Sequence, residues 1–166
     1  MSAALSDLGA AAVQYAHSGL AVFPLAARSK VPRKGSNGLL DATTDIEQVA
    51  RCWTERPASN IGAAVPAGAF VLDIDPRHEG HTSLRRLIDE HGPLPATLQA
   101  RSGGRDGGAH LWWLHPGGKL RVPRDLPGLD LRVHGNYVVV EPSIHPDGGR
   151  YSWVCLLYTS PSPRDS

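Results

Sequence analysis

The stretch FVLDIDP, residues 70–76, places two aspartates at the end of an apolar run that Pro76 terminates. Alternate side chains of a strand share one face, so Asp73 and Asp75 project together, with Cα atoms roughly 6.5–7 Å apart. Two carboxylates this close repel each other unless a cation lies between them, and hard oxygen ligands suit Mg²⁺ or Mn²⁺. We therefore predict a divalent-metal site at this strand end; the alternatives are a solvated strand end and an ion pair with Arg77.

A third aspartate occurs in a second apolar run, GLDLRV at residues 128–133. A charge within an apolar strand is costly unless it is paired or binds a metal. Asp130 therefore becomes a candidate third carboxylate for the site of Asp73 and Asp75. The alternative is a salt bridge to Arg132, which lies two residues along on the same face.

A glycine-rich segment, RSGGRDGGAHLWWLH at residues 101–115, is the second candidate functional element. Its glycines allow backbone amides to approach an anion closely, and Arg101 and Arg105 add positive charge. His110 lies where the loop re-enters an apolar strand. The alternatives are a flexible hairpin loop and, for His110, a buried structural histidine.

The overall composition describes one globular domain, since 41% of the 166 residues are apolar and the net charge is +1. This charge argues against a protein that coats nucleic acid by bulk electrostatics. No apolar run reaches the roughly 18–20 residues of a membrane span, and no signal peptide is recognisable, so we expect a cytoplasmic protein. Cys52 and Cys155 are far apart and indicate neither a disulfide framework nor a zinc site.

Three segments show the apolar spacing of helices. Ser6 is the expected N-cap of the first, and Thr44 and Glu47 form a capping box at the start of the second. The three segments are residues 6–20, 43–57 and 82–92.

The second half of the chain changes to short β-rich runs separated by turn residues, which is typical of antiparallel hairpins. One predicted hairpin joins the run at 128–133 to the run at 137–143 through a turn at 134–136. Buried strands are also predicted at 60–65 and 69–75. The sequence therefore predicts an α+β fold with its helices concentrated in the first half.

The order of these motifs resembles the N-terminal domain of bifunctional DNA primase/polymerases, the prim-pol branch of the archaeo-eukaryotic primase superfamily. The resemblance covers about residues 10–154. It implies an RRM-like, mixed but largely antiparallel sheet with flanking helices. It also implies that the domain makes and extends primers on single-stranded DNA. The motifs that carry it are AVFPL, SKVP, DATTD, NIGAAV, VLDIDPRHEG, GGAHLWW and GLDLRVHGNYVVVEPSIHPDGGRYSW.

The resemblance also implies roles for individual residues. Asp73, Asp75 and Asp130 correspond to the catalytic carboxylates that bind Mg²⁺ or Mn²⁺. His110 corresponds to a histidine that contacts the incoming nucleotide, and Arg132 occupies a basic position suited to triphosphate or nucleic-acid contacts.

Three further positions complete the implied nucleotide site. Lys30 is a second basic residue for the triphosphate or nucleic acid. Many members of the superfamily have serine two residues before the histidine, whereas this chain has Gly108. The hydrogen-bond donor to the phosphates is therefore expected to be Ser102 or a backbone amide, such as those of Gly107 and Gly108.

Residues 155–166, CLLYTSPSPRDS, shift abruptly to Ser and Pro and resemble translated sequencing-adapter read-through. We therefore predict a catalytic domain at 1–154 and a non-native or truncated tail at 155–166. Resequencing the locus tests this, because intact genomic DNA with the same codons would contradict it.

The expected partners are a single-stranded DNA template with its primer, a dNTP or NTP, and a fused or associated helicase, with no membrane. A mobile element is the expected genetic context by analogy alone. Two rival functions use the same residues differently. A metal-dependent nuclease would use the carboxylates with water as nucleophile, and a catalytically silent module would bind single-stranded DNA, with Trp112 and Trp113 as a stacking surface.

Overall fold

The computed structural model describes residues 4–154. The tail predicted at 155–166 therefore lies outside the described residues. Within residues 4–154 the chain forms three α-helices and eight strands. None of these helices has the length and apolar character to cross a membrane. The elements are α1 (Asp7–His17), β1 (Val22–Leu25), α2 (Ile46–Glu55), β2 (Asn60–Ala64), β3 (Ala69–Ile74), α3 (Gly80–His91), β4 (Leu98–Arg101), β5 (Ala109–Leu114), β6 (Leu129–Arg132), β7 (Tyr137–Val139) and β8 (Ser152–Trp153).

The strands form two sheets, one with the order β1-β2-β7 and one with the order β6-β3-β5-β4-β8. The order β6-β3-β5-β4, with α3 connecting β3 to β4, is the predicted RRM-like arrangement. The α+β prediction is confirmed. The expected mixed sheet is not found, because every strand pairing in the described range is antiparallel.

The hairpin predicted across residues 134–136 is wrong, because its two strands belong to different sheets. β6 pairs with β3, whereas β7 pairs with β2, with Gly62 opposite Val139. The turn itself forms, since the amide of Asn136 donates to the carbonyl of Val133 at 2.8 Å. The chain crosses from one sheet to the other here, and as a strand of the three-stranded sheet β7 buries Val138 and Val139.

Helix starts follow local capping chemistry. Ser6 caps α1 as predicted, its Oγ accepting from the amide of Gly9 at 3.1 Å. The capping box predicted at Thr44 does not form, because Asp45 is the N-cap of α2. Its carboxylate accepts from the amides of Glu47 and Gln48 at 3.0 and 3.2 Å, which satisfies the donors of the first turn directly.

Side-chain alternation along β3 divides the core in two. Val71 faces the apolar core that includes α1, α2 and the three-stranded sheet. Leu72 and Ile74 face the opposite side, where they pack with Leu84 and Leu87 of α3. Asp73 therefore shares the Val71 face, and its side chain points to the region between the two sheets.

Candidate active site

A cleft of about 320 Å³ lies between the two sheets, at the lower end of the volume range typical of small-molecule sites. Strands β3, β5, β6 and β7 supply its walls, and four connecting segments, at residues 30–31, 75–77, 102–108 and 145–151, close around it. Its polar lining consists of Lys30, Asp73, Asp75, Arg77, Ser102, Gly104, Asp106, Gly108, His110, Arg132, His145, Asp147 and Tyr151.

Asp73 lies at the centre of a row of polar side chains across three strands. In the sheet register it is opposite His110 on β5 and opposite Asp130 on β6. The Nε2 atom of His110 lies 3.6 Å from the Asp73 carboxylate. The antiparallel pairing thus brings together residues that are 37 and 57 positions from Asp73 in the sequence.

The guanidinium of Arg132 lies between two of the carboxylates. Its Nη2 atom is 3.0 Å from Asp130 and 3.7 Å from Asp73. The alternative considered for Asp130, a salt bridge to Arg132, is therefore present. With 63% of its side chain exposed, Asp130 lies at the rim and not in the cleft lining.

Asp75 makes its own local contacts at the end of β3. Its carboxylate accepts from the amide of Arg77 at 3.0 Å and lies 2.8 Å from Nδ1 of His78. Burial raises the pKa of this carboxyl group, but hydrogen bonds from His78 and from the Arg77 backbone outweigh it and bring the pKa below its usual value. The Arg77 side chain, at 3.6 Å, forms the ion pair considered as an alternative.

The three aspartates do not form a ready-made metal cage. Within residues 4–154, no three His, Cys, Asp or Glu side chains are close enough together to hold a metal. Asp73 and Asp75 nevertheless offer hard oxygen ligands inside one cleft. The nearest side-chain nitrogens to Asp73, those of His110 and Arg132 at 3.6 and 3.7 Å, leave its lone pairs without close hydrogen bonds. This pair of carboxylates fits a Mg²⁺-like cation. Asp130 can join them only if its ion pair with Arg132 breaks.

His110 is buried, and its Nδ1 has no hydrogen-bond partner among residues 4–154. Burial lowers the pKa of the ring, against the opposing effect of Asp73, so the imidazole is neutral near pH 7. A buried Nδ1 without an acceptor favours the tautomer that carries its proton on Nε2. His110 therefore presents an N–H donor to Asp73 and to the cleft.

The glycine-rich loop closes on itself beside His110. The amide of Ser102 donates to the carbonyl of Gly108 at 2.9 Å, and Ser102 Oγ accepts from the amide of Gly104 at 3.3 Å. Of the three residues predicted to donate to the phosphates, Ser102 and Gly108 line the cleft, but Gly107 does not. The carbonyl of Gly107 instead receives a hydrogen bond from the His81 ring at 3.0 Å, and Gly104 lines the cleft.

Lys30 reaches the cleft from a loop that is fixed at two backbone positions. The hydroxyl of Tyr137 donates to the Lys30 carbonyl, and Nδ2 of Asn60 donates to the Ser29 carbonyl, both at 2.9 Å. Asn60 is fully buried and also bonds both backbone groups of Ile144, at 2.8 and 2.9 Å. It therefore ties together two loops that line the cleft.

Sequence reasoning missed Asp147 and Tyr151 of the second of these loops, and it left His145 open between a substrate-positioning edge residue and turn chemistry. His145 and Tyr151 are buried in the cleft wall, and Asp147 lies beside them. In the sequence this segment shows only the Pro, Asp and Gly of a turn. The available signal was His145 itself, a polar residue shortly after the apolar run at 137–140.

The buried His145 predicts a pH dependence of stability. Burial lowers its pKa below 6.5; Lys30 and Arg77 act in the same direction, and the carboxylates of Asp147 and Asp106 oppose them. As the pH falls through 6.5, the unfolded chain takes up a proton that the folded chain resists, so the free energy of unfolding decreases. We expect the melting temperature to fall between about pH 7.5 and about pH 5.5, and to fall less in His145→Gln. Calorimetry at both pH values checks this, and equal falls in both proteins would contradict it.

Residues 12–164 match the family described as bifunctional DNA primase/polymerase, N-terminal. No curated protein matches the chain. The family match spans most of the 166 residues, and it includes the strands that carry Asp73, His110 and Asp130. The chain therefore belongs to the family of N-terminal domains of bifunctional DNA primase/polymerases.

Proposed function

We propose that this domain is a nucleotidyltransferase that synthesises or extends primers on a single-stranded DNA template. The observation that carries the proposal is the row of Asp73, His110 and Asp130 across three neighbouring strands, at a cleft of small-ligand size. Membership of the primase/polymerase family supports nucleotide and DNA as the substrates.

Asp73 and Asp75 are the proposed ligands of Mg²⁺ or Mn²⁺, with Asp130 as a third ligand at the rim. When bound, such an ion lowers the pKa of the primer 3′-hydroxyl and neutralises phosphate charge. The carboxylate of Asp75 is ionised over the whole neutral range, because its pKa is lowered. Asp75 therefore keeps its negative charge where a cation is needed.

The other residues bind and orient the triphosphate. The Nε2–H of His110 donates to a phosphate oxygen next to the reacting centre. Arg132 and Lys30 offset the negative charge of the phosphates, and Ser102 with the Gly108 backbone supplies neutral hydrogen bonds. Preorganised donors of this kind stabilise the charge that develops in the transition state.

Arg132 has an additional role before substrate enters. The sheet register places Asp73 opposite Asp130, and the guanidinium contacts both carboxylates. Entry of a triphosphate gives this guanidinium a new anionic partner. Asp130 is then released to turn toward Asp73, which would complete the carboxylate set.

The stacking surface of the rival DNA-binding module is not formed as a pair. Trp112 packs against the core beside Trp153, with ring centroids 6.0 Å apart. Trp113 lies on the other face of β5 and stacks on Phe70 at 5.5 Å. The two indoles therefore cannot stack the bases of one strand side by side.

A priming assay tests the proposal directly. The purified chain is incubated with single-stranded DNA and Mg²⁺ or Mn²⁺, with dNTPs and NTPs supplied separately and with a pre-annealed primer in a parallel set. We expect products that lengthen only when nucleotides are present. Shortening of the labelled DNA would instead support the nuclease, and DNA binding without incorporation would support the silent module. An associated helicase and a mobile-element context stay predictions from the resemblance, and a cytoplasmic location stays a prediction from the sequence.

A further inference from the structure

A second imidazole faces the cleft from the loop that follows β7. His145 is 4% exposed, and its ring lies against the backbone of Gly104 in the glycine-rich loop. A Cβ atom at position 104 would lie 3.0 Å from Nε2 of His145. Glycine at position 104 therefore leaves this nitrogen beside an open stretch of backbone, within the cleft lining.

The hydrogen bonding of His145 fixes which nitrogen carries its proton. Nδ1 accepts from the backbone amide of Asp147 at 3.0 Å, so the neutral ring is protonated on Nε2. The Asp147 carboxylate is 3.5 Å from the same Nδ1 and does not bond Nε2. Within residues 4–154 no acceptor forms a hydrogen bond with the Nε2–H of His145. This N–H is therefore an unpaired donor on the cleft wall.

The two cleft histidines are arranged around one buried ring. Tyr151 is 2% exposed, and its ring centroid lies 6.2 Å from that of His110 and 5.7 Å from that of His145. Tyr151 therefore spaces two imidazole donors along the same wall. His110 is next to Asp73, and His145 is on the side of the glycine-rich loop.

Charges of both signs surround His145. Lys30 lies close enough to influence both histidines and Arg77 close enough to influence His145, as do the carboxylates of Asp147 and Asp106; the Asp147 carboxylate lies on the Nδ1 side of the ring, away from Nε2. Neutral N–H donors and flexible cations beside open glycine backbone are the groups that bind phosphate oxygens. Of the proposed substrates, the nucleoside triphosphate is the one with consecutive, directly linked phosphates.

We propose that His145 is a second phosphate-binding residue, whose Nε2–H donates to an oxygen of the β- or γ-phosphate while His110 serves the reacting end. This inference rests on the proposed function. It adds a recognition element for the triphosphate tail, separate from the aspartates.

Paired substitutions test the proposal through binding. His145→Leu removes the donor, whereas His145→Gln replaces it with an amide N–H at a similar reach. We expect His145→Leu to weaken dNTP binding by about tenfold or more, because a hydrogen bond to a charged group is lost. His145→Gln should keep most of the affinity. For a dNMP, which lacks the β- and γ-phosphates, the loss in His145→Leu should be below about threefold.

Calorimetric titration of each variant with dNTP and with dNMP gives these affinities, and thermal melting identifies any variant that does not fold. A second measurement needs no substitution. In the wild-type chain, the ¹⁵N resonance of His145 Nε2 should shift on titration with dNTP and stay unchanged with dNMP.

The outcomes separate the two levels of the argument. If the wild-type chain extends primers and binds dNTP, but His145→Leu binds equally well or the Nε2 resonance does not respond, the role of His145 is refuted and the proposed function stands. Equal losses for dNTP and dNMP also refute it, because they indicate a general structural effect. If the wild-type chain neither binds nor incorporates nucleotides, both proposals are refuted.

Discussion

Replacing Asp73 with asparagine should reduce the rate of primer extension by about a thousandfold, equivalent to about 4 kcal/mol of transition-state stabilisation. Asparagine has nearly the shape of aspartate, so the packing of β3 is preserved and only the charge is removed. That charge is the one that faces His110, Arg132 and Asp130 together. Its loss removes a proposed metal ligand and leaves Asp130 as the one carboxylate of the two that pairs with Arg132.

The measurement is single-turnover extension of an annealed primer at saturating dNTP, in Mg²⁺ and in Mn²⁺. Asp125→Asn is the matched control, because Asp125 is also paired with an arginine, Arg86 at 3.2 Å, but it does not line the cleft. We expect the control to retain its rate within about twofold, as surface ion pairs contribute little. Wild-type extension by Asp73→Asn would refute the assignment of the carboxylates.

The parts of the site that could be predicted follow from strand alternation. The period of two along β3 predicts that Asp73 and Asp75, the residue directly after the strand, project together, and that period is a local property of the backbone. His110 was found because a polar residue interrupts an apolar strand directly after a glycine-rich loop. Both signals lie within a few residues of the side chain that they concern.

The parts that could not be predicted depend on contacts between distant segments. Asp130 was correctly placed in an apolar strand, but its salt bridge to Arg132 and the metal site were equally compatible with the sequence. The pairing of β7 with β2, and not with β6, is a choice between partners that adjacency in the chain does not decide. Nothing in the NIGAAV run indicates the role of Asn60, since that role is to join two loops through Ser29 and Ile144, which are 31 and 84 positions away.

The closest approach between the two cleft loops is at a pair of glycines. A Cβ atom at Gly149 would lie 2.9 Å from the carbonyl carbon of Gly103, and closer still to its oxygen. In the other direction, a Cβ atom at Gly103 would lie 2.5 Å from the carbonyl oxygen of Arg150. The loops that carry Ser102 and His145 therefore meet backbone to backbone, with no flexible side chain that could move aside.

Gly149→Ala should accordingly lower the melting temperature by about 5–10 °C, because forcing a methyl group into a packed backbone contact costs about 2–3 kcal/mol. Since the two loops must separate, dNTP affinity should fall as well. Gly68→Ala is the control: position 68 has no atom within 4 Å of the added methyl group and no positive φ, so we expect its melting temperature to stay within about 2 °C of wild type. Thermal melting and dNTP titration of both variants check this. Equal melting temperatures for Gly149→Ala and Gly68→Ala would show that the loops do not meet at Gly103 and Gly149. The placement of His145 beside Gly104 would then lose its structural basis, because both contacts lie between the same two loops.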